Sequence, residues 1–403
     1  MRHLLSQQRL TRLALVCGVT AAGIGALPGT AAAAKPEALT PLQAAARATG
    51  SGHGRDALIS SGPSATSPSS LARSATASKA PWTGGRYSVV VGGKTVKVTV
   101  WLSSRFATSA AVNRSWALFI ARLPHGTELA HLTLYIATLD QIQSEYCGAW
   151  ADSCYWPNEG RIYLTGETPP DGANIQQIAA HEYAHHIAGF RVNYPWDTLG
   201  RGPKRWATSM HVCEQTAAGN MHPGDEVDYY YSNPGEIWAE SYRAYASTFA
   251  GLIPDTWASF APDSDLATWL GWTQTPTNLA AAAKDVSTPW AGQYKPPANA
   301  KPTFPWPGQH LQTLTAPLGA SGPQVSTITI PTTLDGRLEY LTTVTGSLRV
   351  RVTATSADGK PLALSGTSTK AKAQLCGTSA AIVRVTRLSG NGKWKMTVGD
   401  PGN

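Results

Sequence analysis

A proline-rich stretch, residues 287–310, divides the chain into two parts with different hydrophobic patterns. Proline fixes φ and lacks a backbone donor, so such a stretch stays extended and joins domains. Upstream, segments with helical spacing alternate with strand-type segments. Downstream, short β-type segments follow one another at regular spacing: ITIPTT, LEYLTTV, SLRVRVTAT, AIVRVTRL and KWKMTV. The pattern predicts an α+β domain over residues 81–286 and a small all-β sandwich over residues 311–403.

The first residues of the sequence have the pattern of a leader. Arg2, Arg9 and Arg12 precede an apolar run that starts at residue 13, and small residues follow up to Ala34. This order predicts a signal peptide over residues 1–34, cleaved near Ala34, and therefore a secreted, extracellular protein. The apolar run is shorter than the roughly 20 residues that cross a bilayer, so no membrane span is expected in the mature form. Residues 35–80, rich in Ala, Ser, Thr and Gly, are predicted to be a disordered linker or pro-segment.

The charge balance says little about partners. The formal net charge is +8, from 33 basic and 25 acidic residues, and loss of the three leader arginines lowers it to +5. We expect most of the remaining excess to be scattered along the chain, and runs of Lys and Arg with interleaved aromatic residues are absent from the sequence. Such runs are typical of nucleic-acid grooves, so no nucleic-acid partner is expected.

Four cysteines lie outside the leader: Cys147, Cys154, Cys213 and Cys376. An even count in an exported chain favours disulfides, and four cysteines allow three pairings. Cys147 with Cys154 closes a short loop and is the preferred pairing. A bond between Cys213 and Cys376 requires that the fold bring them together. A four-cysteine zinc site is not expected, because the spacing has no CxxC pair.

Several elements of the first domain can be predicted from periodicity. The run RYSVVVGGKTVKVTVWLS alternates around Gly92 and Gly93, which indicates a hairpin with a two-residue turn. Strands are predicted over residues 132–137 and 161–165, and further helical material around Trp257, Trp269 and Trp272. Helices are predicted over residues 103–123, 174–190, 203–218 and 233–249.

The helix over residues 174–190 carries the run HEYAHH, residues 181–186, which contains HExxH. Because His181 and His185 are four apart, they share one helix face and can both reach one Zn²⁺ at about 2 Å. Glu182 is displaced by about 100° around the helix, so it can act as general base on a metal-activated water. His186 falls off this face and is left out of the site.

A third ligand has to come from another segment. The extended pattern HExxHxxGxxH is not met, because Ala188 and Arg191 stand where it requires Gly and His. The helix starting near residue 233 reads NPGEIWAESYRAY, in which Glu236 and Glu240 are again four apart. Glu236 is the candidate third ligand. Glu240 is the candidate carboxylate that holds a ligating histidine in its metal-binding tautomer.

These residues together resemble a gluzincin, a zincin in which a Glu on a separate helix completes the two His ligands. The segment NPGEIWAES resembles the NPxExFAE segment of lethal-factor-like peptidases. The run CGAWADSCYWPNEGRIYL followed by HEYAHH is similar to the neutral zinc metallopeptidase family. The resemblance covers about residues 147–245. It implies a zincin-like catalytic domain with an N-terminal mixed sheet, an active-site helix and a helical C-terminal subdomain.

The resemblance also implies roles for other residues. An edge strand of the sheet would hydrogen-bond an extended substrate backbone, and the strand RIYLT near Tyr163 is the candidate. In lethal-factor-like peptidases a Tyr seven residues before the third ligand stabilises the oxyanion, which corresponds to Tyr229 here. Four other residues remain alternatives for this donor: Tyr230, Tyr231, His222 and His211.

The expected function is that of a secreted zinc-dependent endopeptidase with one Zn²⁺ per chain and a protein or peptide substrate. Glu182 is its general base. One alternative is a non-catalytic cell-surface or wall-binding protein with a relic zinc site, whose C-terminal domain contacts polysaccharide. Another is a zinc amidase acting on cell-wall peptides. A base beside the metal favours an enzyme, because a structural zinc site does not need one.

Overall fold

The structure, a computed structural model, describes residues 82–106, 110–170, 173–191, 195–224, 229–250, 275–287, 304–305, 310–318, 324–332 and 334–400. The predicted leader, the segment over residues 35–80, most of the proline-rich stretch, and Trp257, Trp269 and Trp272 lie outside these ranges. Within them, every helix is too short or too polar to cross a membrane. The fold is α+β, as expected.

Five strands form the first sheet, in the order β1-β2-β3-β5-β4. Their bounds are β1 Trp82–Val91, β2 Lys94–Ser103, β3 Thr133–Ala137, β4 Ser153–Trp156 and β5 Arg161–Thr165. Strands β2, β3 and β5 run parallel, whereas β1 and β4 pair antiparallel at the two edges. The predicted hairpin is present: Gly92 and Gly93 form its turn with φ of 55° and 75°, values that favour glycine.

The RIYLT strand does not lie at an edge of this sheet, and that expectation was wrong. Strand β5 is paired on both sides, with β3 and with β4. Tyr163 is 5% exposed and stacks on Tyr135 and Tyr146, with ring centroids 5.0 and 4.5 Å apart. The edge beside β5 is β4, which none of the sequence patterns indicated.

Six α-helices longer than four residues lie in the described part of the chain. They are α1 Ala110–Arg122, α2 Ile175–Phe190, α3 Lys204–Ser209, α4 Val212–Ala217, α5 Pro234–Ala250 and α6 Pro276–Ser287. Short helical turns lie at Thr127–His131, Leu139–Gln141, Ile142–Tyr146, Thr198–Arg201 and Tyr230–Ser232. The helix predicted from residue 103 starts later, because Ser103 still pairs with Trp82 in the hairpin. The helix predicted over residues 203–218 is broken into α3 and α4, because His211 adopts a left-handed φ of 56°.

Helix α2 packs against the sheet and against α5. On the sheet, Leu134 and Ile162 are fully buried in the same hydrophobic cluster as α2. The close approach to β4 depends on Gly189, where a Cβ would lie 2.7 Å from the hydroxyl oxygen of Tyr155. On the other side, the indole of Trp238 donates a hydrogen bond to the Ala184 carbonyl oxygen at 2.9 Å. Helix α2 is therefore held between an edge strand and a second helix.

The described strands after α6 form two antiparallel sheets, with strand orders β10-β11-β8-β13-β6 and β7-β12-β9. The bounds are β6 His310–Leu318, β7 Val325–Pro331, β8 Gly336–Val344, β9 Arg349–Ser356, β10 Ser365–Gly366, β11 Lys370–Leu375, β12 Ala380–Ser389 and β13 Gly392–Asp400. Residues from both sheets, among them Leu338, Val383 and Trp394, share one buried cluster. Five of these strands coincide with the predicted β-type segments.

The described residues include two disulfides. Cys147 pairs with Cys154, as predicted, with the two Cα atoms 5.6 Å apart. Cys213 pairs with Cys376 across 163 residues of sequence, with the Cα atoms 5.4 Å apart. The second bond joins α4 to the residue that follows β11, so it ties the helical part to the C-terminal sheets.

A buried carboxyl lies beside this second disulfide. The backbone N–H of Asp335 donates to the Thr208 hydroxyl at 2.9 Å, and one carboxyl oxygen of Asp335 accepts the Gly377 N–H at 2.8 Å. Burial raises the pKa of Asp335. The hydrogen bond from Gly377 lowers that pKa, but the neighbouring charge of Glu214 raises it further, to about 7. The contact between the two parts therefore carries a group that titrates near neutral pH.

Candidate metal centre

The position of α2 follows from its first turn. The side chain of Asn174 accepts hydrogen bonds from the backbone N–H groups of Gln176 and Gln177 at 2.8 and 3.3 Å, which caps the helix. The helix then continues to Phe190. Because 16 helical residues follow this cap without interruption, the HExxH residues lie in the middle of the helix. His181 and His185 are at most 1% exposed.

Helix α5 starts at the run NPGE, and local contacts explain why each of these residues suits the start of the helix. The side chain of Asn233 accepts the Gly235 N–H at 2.9 Å, and Pro234 suits the first helical position, where no amide donor is needed. A Cβ at Gly235 would clash with the carbonyl oxygen of Leu199, so only glycine permits this approach. Glu236 follows in the first turn and is fully buried.

Three side-chain atoms from these two helices converge. The Nε2 atoms of His181 and His185 are 3.2 Å apart, and Oε2 of Glu236 lies 3.3 Å from the first and 3.5 Å from the second. A tetrahedral ion with bonds of about 2.0–2.1 Å would separate its ligand atoms by about 3.3 Å. These three residues could therefore hold a metal ion.

A buried hydrogen-bond network fixes the orientation of His181. Its Nδ1 lies 2.6 Å from Glu240, whose other oxygen accepts from Nε and Nη2 of Arg243 at 3.0 and 2.7 Å. Arg243 also donates to Gln177 at 2.8 Å. Burial raises the pKa of Glu240, but Arg243 and His181 lower it more, to about 2. The ionised carboxylate accepts a hydrogen bond from Nδ1–H, so the Nε2 lone pair of His181 is directed at His185 and Glu236. Nδ1 of His185 is buried without a hydrogen-bond partner among the described residues.

Glu182 is connected to the edge strand. Its Oε1 accepts a hydrogen bond of 2.6 Å from the hydroxyl of Ser153, and both side chains are fully buried. Ser153 is the first residue of β4 and precedes Cys154 of the short disulfide loop. The edge strand β4 is therefore in direct contact with Glu182, the carboxylate next to His181 in the sequence.

His186 has a structural environment. Its Nε2 lies 2.8 Å from the carbonyl oxygen of Glu128, and its Nδ1 lies 3.3 Å from the Tyr155 hydroxyl. The side chain of Glu128 in turn pairs with Arg191 at 3.0 Å. His186 thus links α2 to β4 and to the turn before β3, and it is not one of the three converging residues.

The candidate oxyanion donors lie in the segment before α5. Tyr229 is 41% exposed, and its ring stacks on His222 with centroids 3.7 Å apart. His211 is exposed and pairs with Glu214 at 3.2 Å. The role of Tyr229 in stabilising an oxyanion stays a prediction.

Two residues of this centre were missed from the sequence. Arg243 stands three residues after Glu240, a spacing that brings side chains together on a helix, and this could have indicated the pair. Ser153 lies 29 residues before Glu182, and nothing in its surroundings marks it as a partner.

Comparisons with known proteins add little to this geometry. No family model matches the chain, and no curated protein matches it. Among solved structures, the chain is similar to the SPBc2 prophage-derived protein YomS with 13% sequence identity, covering 22% of this chain and 94% of that one. The TM-score of 0.17 is too low for any argument about fold.

Proposed function

We propose that the chain is a secreted, zinc-dependent endopeptidase with a gluzincin-type centre in a zincin-like domain. The observation that carries the proposal is the convergence of His181, His185 and Glu236, with Glu182 one residue from the first ligand. Two disulfides suit the oxidising conditions met by exported proteins, and this supports a secreted location. The similarity of residues 147–245 to the neutral zinc metallopeptidases and lethal-factor-like peptidases belongs to this proposal.

The metal would be held by His181, His185 and Glu236. Two imidazoles and one carboxylate are a donor set that zinc enzymes use, and it leaves a coordination position open. When bound, zinc supplies a Lewis acid that lowers the pKa of water and polarises a carbonyl group.

The protein's own residues carry the remaining steps. Glu182 takes the proton of the attacking water and passes it to the leaving amine. Ser153 holds one oxygen of this carboxylate in place. Strand β4 has no partner on its outer side among the described strands, so its backbone can pair with an extended peptide. Tyr229 is proposed to donate to the oxyanion.

Zinc content and peptide hydrolysis, measured on the same preparations, test this function. Glu182→Gln is expected to keep about one zinc per chain and to lose about 10²- to 10⁴-fold in kcat. His185→Ala is expected to lose both zinc and activity. Full activity of Glu182→Gln would contradict the role of the base, and zinc retained by His185→Ala would contradict the ligand set.

Assays with two substrates distinguish the endopeptidase from the amidase and from the non-catalytic surface protein. An unstructured protein such as casein reports endopeptidase activity, whereas cross-linked cell-wall peptides report amidase activity. Cleavage of the wall peptides alone would replace the endopeptidase by an amidase that uses the same residues. Hydrolysis of neither, by a zinc-loaded protein, would favour a non-catalytic surface protein.

A further inference from the structure

The positive charge of the chain is concentrated in its C-terminal part. Residues 311–403 contain ten Lys and Arg against four Asp and Glu, a net charge of +6. Residues 35–310 contain 20 basic and 21 acidic residues, a net charge of −1. The expectation that the basic excess is scattered was therefore wrong. Residues 311–403 carry all of it.

Four of these charges lie on one face of the five-stranded sheet. Neighbours in the same strands, such as Ala371 and Trp394, are 4% and 1% exposed and point into the core. Alternation along a strand then places the lysines on the outer face, where all four are exposed. We call them the lysine row: Lys372 and Lys370 on β11, and Lys395 and Lys393 on β13.

The row advances regularly along β8, which lies between the two strands. Lys372 is opposite Glu339, Lys370 is opposite Leu341, and Lys395 is opposite Thr343. Lys393 follows two residues further along, where its carbonyl accepts the Thr345 N–H at 2.9 Å. Each step is two residues of a strand, or about 7 Å, so the row extends about 20 Å along the sheet.

The charges of the row are available to a ligand. None of the four lysines forms an ion pair with a carboxylate in the described part of the chain. The acidic residue on this face, Glu339, is paired with Arg337 at 3.2 Å. An exposed line of like charges raises the local concentration of a polymer of opposite charge.

We propose that the lysine row binds a linear anionic polysaccharide. The outer face between and beside the lysines carries hydroxyl groups, from Thr343, Thr397, Thr313 and Thr315, which can hydrogen-bond sugar hydroxyls. Its described residues include no aromatic side chain on which a nucleobase could stack, and this favours polysaccharide over single-stranded nucleic acid. The interaction does not depend on the metal centre.

Binding of the full chain to immobilised polygalacturonate tests the proposal, with neutral dextran as the control polymer. Affinity is expected to fall with salt, with a log–log slope of about −3 for four lysines at roughly 0.7 per charge. A variant with all four lysines of the row changed to Gln is expected to bind at least about 10-fold more weakly. The matched control removes four charges on β9 and β12 of the other sheet: Arg349→Gln, Arg351→Gln, Arg384→Gln and Arg387→Gln.

The outcomes separate cleanly. A large loss in the lysine-row variant with less than about a threefold loss in the control supports the proposal. Equal losses in both variants would overturn it, because binding would then follow net charge alone. The absence of binding at low salt would also overturn it. So would a competition experiment in which oligo-dT releases the protein from immobilised polygalacturonate at a lower concentration than free polygalacturonate does. Unchanged melting temperatures show that both variants are folded.

Discussion

Replacing Ser153 by Ala tests whether the edge strand positions the proposed general base. The Ser153 hydroxyl donates to Glu182 at 2.6 Å, and both side chains are fully buried. Removal of a donor from a buried charged acceptor costs about 1–3 kcal/mol. If this free energy is lost in the transition state, kcat falls by about 5- to 150-fold, since each 1.36 kcal/mol is a factor of ten.

The assay measures kcat and KM on a fluorogenic peptide, zinc content and thermal unfolding for each variant. Ser153→Ala is expected to lower kcat at nearly constant KM and zinc content, because the hydroxyl hydrogen-bonds the proposed base. Ser153→Thr keeps the hydroxyl and is the matched control, so it is expected to recover much of the lost rate.

Wild-type kcat in Ser153→Ala, alongside an inactive Glu182→Gln, would refute the positioning role while leaving the peptidase proposal intact. Loss of zinc in Ser153→Ala would refute it in another way, because the effect would then reach the ligands. A Ser153→Thr variant as slow as Ser153→Ala, with an unchanged melting temperature, would show that the hydroxyl is not the active feature.

Three further predictions concern other contacts. Glu240→Ala is expected to weaken zinc binding about 10- to 100-fold in chelator competition, because a carboxylate no longer orients the ligating imidazole. Gly189→Ala places a Cβ 2.7 Å from the Tyr155 hydroxyl, so the free energy of unfolding in urea is expected to fall by about 1–3 kcal/mol. Burial and Glu214 raise the pKa of Asp335 to about 7 in the folded chain, so the folded state keeps a proton that the unfolded state loses. Stability should therefore fall as the pH rises from about 4 to 7, and melting curves of Asp335→Asn should lack this slope.

The elements with strong local signals could be predicted from the sequence. The Gly-Gly turn determines the first hairpin, and periodicity with an Asn cap locates α2 to within a residue. The spacing of four residues, repeated on two helices, indicated which side chains would meet. These features depend on interactions between near neighbours, which the order of residues displays directly.

The remaining features depend on contacts between distant segments. Strand β4 has only four residues, and its first three are buried, so it shows no alternation by which a strand could be recognised. The left-handed conformation of His211, which separates α3 from α4, has no glycine to mark it. The contact between Ser153 and Glu182 exists because β4 pairs with β5 beneath α2, and that pairing is a property of the whole sheet.

The bond between Cys213 and Cys376 encloses Glu236, Glu240 and all strands from β6 to β11 in one covalent loop. A single cut anywhere between these cysteines, including one made by the protein on itself, leaves both fragments attached. On a gel, a nicked chain should migrate as one species until it is reduced, and only then separate in two. Release of the C-terminal sheets from the candidate metal centre would thus require both proteolysis and a reductant.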